Sequence, residues 1–152
     1  TVDKKNTLVW EVPYVHGILK AVSYNKGNEV GTAALESAGK VEKIRLSADR
    51  TEIVADGNDL SYITLELVDS KGIRNQLAEE LVEFFIEGDA TIEGVGNANP
   101  MSVEGFVASS RKTWRGSNLL VVRSGKTSGK VIVTAKVQGL PVANIIINQR
   151  SK

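Results

Sequence analysis

The feature that most constrains the fold is a strict alternation of side chains over residues 130–137. Every second residue is apolar and points the same way: Val131, Val133, Ala135 and Val137. A period of two predicts a β-strand with one buried face. Val, Ile and Thr supply 39 of the 152 residues, against 13 for Leu plus Met, and β-branched side chains favour strands over helices.

Short runs of the same kind recur along the chain, with turn residues between them. Trp10 alternates with Leu8 and Val12, which favours a place for it in a core. Strands do not alternate with helical segments, so the pattern indicates an antiparallel β-sandwich rather than a parallel sheet with crossover helices. The predicted strands are residues 8–14, 18–24, 29–35, 43–48, 53–54, 62–67, 82–86, 90–95, 119–123, 130–137 and 143–148.

Residues 76–85 are the one ambiguous stretch. Leu77, Leu81 and Phe84 have helical spacing, whereas Val82 and Ile86 alternate with Phe84 in strand register. We favour a loop to residue 80 followed by a strand.

Composition excludes several classes of function. The 19 basic and 18 acidic residues leave a formal charge of +1, which is not the basic surface that nucleic acid or anionic lipid requires. No apolar run approaches the roughly 20 residues that span a bilayer. With no Cys, the chain has no disulfide, thiolate zinc site or cysteine nucleophile.

Two glycine-containing segments resemble nucleotide-binding motifs in part. Residues 125–127 read Gly-Lys-Thr, but a phosphate-binding loop needs a Gly where Leu120 stands, so a hairpin loop is favoured. Residues 94–99 begin like a dinucleotide fingerprint, but Asn99 replaces the third Gly and Pro100 follows. This segment is predicted to be a turn.

Candidate metal and acid–base groups also favour structural interpretations. His16, the single His, adjoins Gly17 and is predicted to be a solvated turn residue. Asp56, Asn58 and Asp59 offer oxygen ligands of the kind Ca²⁺ prefers, but these residues also stabilise turns, which we favour.

Cleavage of a glycosidic bond needs two carboxyl groups in one enclosed site, one of them with a raised pKa. The acids of this chain fall instead on outward strand positions or in turns, where we expect solvated faces. The positions that support this are Glu66, Glu83, Glu87, Asp49 and Asp69.

Residues 111–115 interleave cations with an aromatic side chain. Trp114, Arg111 and Arg115 are the candidate contacts for a sugar ring or a partner surface, because an exposed Trp stacks well on both. Cross-strand packing, with the basic side chains covering the ring, is the favoured alternative.

Taken in order, short blocks of the sequence resemble the C-terminal region of bacterial glycoside hydrolase family 2 enzymes of the β-galactosidase kind. The first two resemble the end of an immunoglobulin-like domain that follows the catalytic barrel, and the others resemble the next domain. The resemblance extends from about residue 8 to residue 148. The blocks are Leu8–Tyr14, Gly17–Tyr24, Ile44–Thr51, Ala55–Tyr62, Asp69–Gly72, Ile92–Pro100, Arg111–Lys112 and Val121–Ser124.

This resemblance implies two domains. Residues 40–152 would form an all-β, antiparallel, immunoglobulin-like β-sandwich, and residues 1–39 would be the C-terminal strands of a preceding immunoglobulin-like domain. The two catalytic glutamates of the family lie on an upstream (β/α)₈ barrel whose motifs do not occur here. The resemblance therefore implies no catalytic, cofactor-binding or metal-binding residue in this chain, and no cofactor.

The implied function is that of a non-catalytic module that supports or extends the barrel of a periplasmic or secreted β-galactosidase, which hydrolyses terminal β-galactosides in carbohydrate breakdown. Expected partners are the catalytic and neighbouring β-sandwich domains, with carbohydrate as a further candidate, but neither nucleic acid nor membrane. Unpaired strand edges in residues 1–39 offer a route to self-association. Two alternatives stay open: a carbohydrate-binding module that uses Trp114, Trp10 and Tyr62, and an adhesin-type immunoglobulin-like domain.

Overall fold

The computed structural model describes residues 7–151, and its regular elements are all β-strands. None of these described residues forms a helix that is long and apolar enough to cross a membrane. The chain divides into two compact units, Thr1–Ser37 and Ala38–Lys152. The strands are β1 (Ile18–Asn25), β2 (Asn28–Glu36), β3 (Lys43–Ala48), β4 (Glu52–Val54), β5 (Leu60–Val68), β6 (Leu81–Glu87), β7 (Ala90–Gly96), β8 (Ser110–Lys112), β9 (Ser117–Ser124), β10 (Gly129–Val137) and β11 (Ala143–Arg150).

The first unit contains one antiparallel hairpin, in which β1 pairs with β2 from Ile18 opposite Glu36 to the turn. Lys26 and Gly27 form the two-residue turn with φ of 49° and 82°. Positive φ at both positions gives the turn the twist of the strands that it joins. The predicted turn and both flanking strands are confirmed.

The segment before this hairpin differs from its prediction. The alternation over residues 8–14 predicts a strand with Trp10 in a core, but the segment forms no strand and Trp10 is exposed. A strand needs a neighbour for its backbone hydrogen bonds. Within residues 7–151 no strand pairs with this segment, so its alternation alone does not make it a strand.

The second unit is a sandwich of two sheets. One sheet has the order β3-β5-β9-β7, and the other has the order β4-β11-β10-β6-β8. The pairs are antiparallel as predicted, except that β4 runs parallel to β11, with Ile53 opposite Gln149. A parallel pair is possible here because more than 80 residues of chain connect the two strands, well beyond the dozen or so that such a connection needs.

The core lies between the sheets and is made of the alternating aliphatic side chains that the sequence pattern selects. Four residues of β10 point inward, as predicted, and Ile63, Leu65 and Leu67 of β5 are fully buried. Their neighbours Thr64 and Glu66 lie on the outer face of the sheet. The inward residues of β10 are Val131, Val133, Ala135 and Val137.

Residues 76–85, whose pattern was ambiguous, include the start of strand β6 at Leu81. Val82 and Phe84 are buried in the core, and Leu77 is exposed rather than part of a helical apolar face. The predicted loop followed by a strand is confirmed, because every second residue after residue 80 points into the core between the two sheets.

The connection from β9 to β10 corrects the predicted hairpin loop. These strands belong to different sheets, so residues 125–128 cross from one sheet to the other. Asp89 holds the crossing: its Oδ2 accepts the backbone N–H groups of Lys126 at 2.9 Å and Thr127 at 2.7 Å. Gly125 passes so close that an added Cβ would lie 2.1 Å from the Asp89 Cγ. The crossing therefore depends on the absence of a side chain at Gly125.

Candidate functional site

Strand β8 and the turn after it position Trp114 at the edge of the second unit. The backbone of Trp114 pairs with Ser117 through two hydrogen bonds of 3.1 Å across the turn. Arg115 and Gly116 take φ of 50° and 70° in this turn. An added Cβ at Gly116 would lie 2.1 Å from the Asn75 carbonyl oxygen, so the turn packs tightly against the preceding loop.

Trp114 is half-buried and borders a concavity of ≈ 450 Å³. The guanidinium carbon of Arg115 lies 5.9 Å from the centroid of the Trp114 ring, so a cation partly covers the indole. Asn118 also lines the concavity, and its buried Oδ1 accepts no hydrogen bond. The arrangement thus offers a sugar the face of the Trp114 ring, whereas the Oδ1 of Asn118 is enclosed in the domain and out of a ligand's reach.

Arg111 does not join Trp114 and Arg115 at the surface. Its side chain is 1% exposed and extends into the interior, so Arg111, a candidate contact in the sequence, does not present its guanidinium to a sugar or partner at the surface of this domain. The alternation that starts with Ser110 on β8 places Arg111 on the inner face, where no aliphatic neighbour can satisfy a guanidinium. It follows that Arg111 has a structural role within the domain.

The Arg111 guanidinium binds the loop between β7 and β8. Nη1 donates to the carbonyl oxygens of Val95, Glu104 and Gly105 at 3.2, 3.2 and 3.3 Å. Nη2 donates to Ser102 Oγ at 3.0 Å. Residues 97–109, which we call the β7–β8 loop, are therefore held from inside by one buried cation. A planar fork with five donors suits several carbonyls at once.

The start of the β7–β8 loop confirms the turn predicted from residues 94–99. Asn97 Oδ1 accepts the backbone N–H of Asn99 at 3.1 Å, and Ala98 has φ of 58°. Asn97 Nδ2 donates to the Lys112 carbonyl oxygen at 2.9 Å, which ties the turn to β8.

The outer side of this loop is a feature that the sequence analysis did not assign. Four large apolar side chains point into solvent there: Met101, Val103, Phe106 and Val107. They lie between the predicted strands at residues 90–95 and 119–123, where the sequence has no sustained alternation and so predicts no strand.

The acids of the domain are engaged by structural partners. Asp69 was expected on a solvated turn, but it is buried, so that expectation is wrong. Hydrogen bonds from the backbone N–H of Gly39, then Ile73, hold the pKa of Asp69 below its ordinary value. The backbone N–H of Thr127 is the main cause of the lowered pKa of Asp89.

Two further carboxyl groups are shifted in the same direction. The backbone N–H of Val54, and then the side chain of Arg50, lower the pKa of Asp59. The Arg123 side chain lowers the pKa of Glu93, with Nε 2.8 Å from Oε1. A general acid for glycoside cleavage needs a raised pKa, so these four groups are suited to structural roles.

The oxygen-rich segment 56–59 is a turn, as predicted. Asp56 Oδ1 accepts the backbone N–H groups of Asn58 and Asp59, both at 2.9 Å. His16 is exposed, in the bend before β1. Among residues 7–151, no three His, Asp or Glu side chains are grouped so as to hold a metal ion.

Fold and site together define a class of protein: an all-β, immunoglobulin-like sandwich domain in which charged side chains hold the loops in place through hydrogen bonds to the loop backbone. Comparison with known families makes the assignment specific. The sequence model described as "Glycoside hydrolase family 2 C-terminal domain 5" matches residues 44–146, and the chain belongs to this family. A second model, "Domain of unknown function (DUF4982)", matches residues 1–31.

Individual relatives agree with this assignment. The chain is 36% identical over 141 residues to the β-galactosidase BoGH2A of Bacteroides ovatus, a match that covers 93% of the chain and 17% of that protein. It is 29% identical over 149 residues to a β-glucuronidase of Formosa agariphila, with 96% of the chain and 14% of that protein covered.

A solved structure extends the comparison to three dimensions. The crystal structure of a glycosyl hydrolase family 2 member from Bacteroides cellulosilyticus matches with a TM-score of 0.91 and 88% identity, over 97% of this chain and 20% of that one. The chain thus spans about a fifth or less of the length of the relatives that it matches. Residues 44–146 are therefore a C-terminal domain of the family 2 type.

Proposed function

We propose that this chain is the non-catalytic C-terminal portion of a periplasmic or secreted β-galactosidase, which hydrolyses terminal β-galactosides in carbohydrate breakdown. The observation that carries the proposal is its 36% identity to the β-galactosidase BoGH2A across 93% of the chain. The module supports the catalytic barrel of the parent enzyme and contacts the neighbouring β-sandwich domains.

The state of the acids supports the non-catalytic part of the proposal. Glu66 on the outer face of β5 is held by Arg45, with Oε2 2.7 Å from Nη2, and by Arg74. Glu93, Asp59, Asp69 and Asp89 have lowered pKa values, which keep them ionised rather than ready to donate a proton.

The experiment compares the full-length parent enzyme with this chain on chromogenic β-galactoside and β-glucuronide substrates, since relatives of both kinds match. We expect the parent to hydrolyse the galactoside and the isolated chain to hydrolyse neither. Preference of the parent for the glucuronide would overturn the substrate assignment. Turnover by the isolated chain would overturn the non-catalytic role.

We further propose that residues 1–39 complete a preceding immunoglobulin-like domain of the parent. A second family model matches residues 1–31, and the chain divides into two compact units after Ser37. Strands β1 and β2 also leave apolar side chains exposed, which a missing part of such a domain would cover. In the isolated chain these strand edges lead to self-association. Light scattering on the chain with and without residues 1–39 tests this: two monomeric masses would contradict it.

Carbohydrate binding at the Trp114 concavity is a second candidate, favoured by the half-buried indole that borders a concavity of ≈ 450 Å³. Titration calorimetry against galactosides and polysaccharides should then give a Kd tighter than roughly 1 mM, or about −4 kcal/mol. Trp114→Ala should abolish the heat signal. Tyr14→Ala serves as the control, because Tyr14 is an exposed aromatic residue of the other unit and is not among the candidate binding residues. Equal loss in both variants, or no binding by the original chain, would refute this candidate.

A further inference from the structure

The β7–β8 loop presents the most exposed apolar cluster of the second unit. Val103 is 100% exposed, Val107 87%, Met101 84% and Phe106 66%. Four such side chains expose several hundred Å² of apolar surface, close to the largest patch that a typical soluble monomer carries. The largest exposed apolar patch of a soluble protein is often a binding surface, because exposing apolar area to water is unfavourable.

This loop is held in a defined conformation despite its exposure. The buried Arg111 guanidinium donates to the carbonyl oxygens of Glu104 and Gly105, and it lies 4.6 Å from the centroid of the Phe106 ring. The backbone of Phe106 also accepts a hydrogen bond from Val95 of β7 at 2.8 Å. A loop that is ordered in advance loses less conformational entropy when it binds, so its apolar side chains are presented ready for contact.

The charges of the loop restrict its partner. Glu104 is its one charged residue, and both carboxylate oxygens face the protein: Oε1 accepts the Lys112 N–H at 3.2 Å and Oε2 accepts the Ser102 hydroxyl at 3.1 Å. The patch formed by Met101, Val103 and its apolar neighbours therefore carries no cation of its own. Anionic lipid and nucleic acid are bound by surfaces rich in Lys and Arg, so a neutral apolar protein surface is the partner that fits.

We propose that the β7–β8 loop docks onto an apolar surface of the N-terminal remainder of the same polypeptide. The chain covers 20% of the family 2 enzyme that it matches at 88% identity, so 80% of such a polypeptide lies outside it. Covalent attachment gives that remainder a far higher effective concentration than any separate partner. The inference rests on the proposed place of this chain in a larger hydrolase, and it assigns the contact to a specific loop.

Met101 is the single Met of this chain and serves as a built-in probe. The experiment oxidises the full-length parent enzyme with dilute peroxide and follows the Met101 peptide by mass spectrometry. In the native enzyme, we expect Met101 to oxidise at least tenfold more slowly than in urea. Val103→Asp should restore the fast rate, since it places a charge at the contact without touching the domain core. Leu77→Asp, at a 90% exposed apolar residue of another loop, should leave Met101 protected.

Several results would overturn the inference. Fast oxidation of Met101 in the unmodified native enzyme would mean that nothing covers the loop. Protection that disappears on dilution, together with a halving of the mass, would assign the contact to a second copy, and protection only with phospholipid vesicles would assign it to a membrane. Activity on galactosides is measured separately, so a wrong substrate assignment with Met101 protected would refute only the proposed function.

Discussion

Replacement of Arg111 by Met tests whether one buried cation organises the β7–β8 loop. Met keeps most of the apolar volume of the side chain and removes the guanidinium. Four hydrogen bonds are lost, to three carbonyl oxygens and the Ser102 hydroxyl. Each hydrogen bond to a charged group contributes about 1.5–3 kcal/mol.

The net effect is smaller than the sum of these bonds. The carbonyls of Glu104 and Gly105 belong to an exposed loop and regain water, whereas that of Val95 stays inside. Removing the guanidinium also removes the cost of burying its charge. We therefore expect Arg111→Met to lower the free energy of unfolding by about 2–4 kcal/mol, and Arg111→Lys by less, because Lys keeps a charge but not the planar fork.

Urea unfolding followed by circular dichroism measures these differences at an unchanged m-value. Hydrogen exchange should show faster exchange for the loop amides, including the Val95 N–H that is bonded to Phe106. Lys112→Met is the matched control, because the neighbouring Lys112 is exposed, and it should change the free energy by less than about 0.5 kcal/mol. Equal stabilities of Arg111→Met and the original chain would refute the structural role of Arg111.

Three other predictions concern stability. The pKa of Asp69 is lower in the folded than in the unfolded chain, so its carboxylate stabilises the folded state fully above about pH 4, and this stabilisation is lost as the pH falls toward the folded pKa. In Asp69→Asn, the urea midpoint should therefore fall less steeply between about pH 4 and lower pH than it does in the original chain. Gly125→Ala should lower the unfolding free energy by about 1–3 kcal/mol and increase hydrogen exchange in the crossing loop, since its Cβ would lie 2.1 Å from the Asp89 Cγ; an unchanged urea midpoint would contradict the close approach. Ile63→Ala, at a fully buried residue, should cost about 2–5 kcal/mol in a urea titration, and Ile146→Ala, at a half-exposed one, less than about 1 kcal/mol; similar losses would contradict the assignment of the core.

The proposed docking of the β7–β8 loop and the proposed support of a catalytic barrel both depend on the surface of this domain. In the proposed function, this domain contributes by the surface that it offers to neighbouring domains of the same chain. The inner face of the sandwich supplies stability, and Arg111 links that interior to the exposed loop. Arg111 therefore contributes both to the stability of the domain and to the order of the proposed docking loop, so Arg111→Met should also speed the oxidation of Met101 in the parent enzyme.

Local patterns predicted much of the fold. Alternation over β5 and β10 identified strands and their inward faces, because a period of two leaves one face that must be buried. Turn residues in the sequence also predicted turns in the structure. The Lys26–Gly27 turn and the Asp56 turn form where expected because they depend on backbone φ and on short-range hydrogen bonds. Both kinds of signal act within a few residues.

The sequence by itself determined the class of fold, the inward faces of the strands and the turns, because those follow from short-range geometry and the burial of alternating aliphatic side chains. Only the tertiary structure decided that Arg111 lies inside, that β9 and β10 belong to different sheets, and that Asp69 is buried. Both buried charges have a partner that is distant in sequence: Gly39 lies 30 residues before Asp69, and Val95 lies 16 residues before Arg111. A charge is stable in the interior only where such partners converge on it, and that convergence exists only once the sheets have packed.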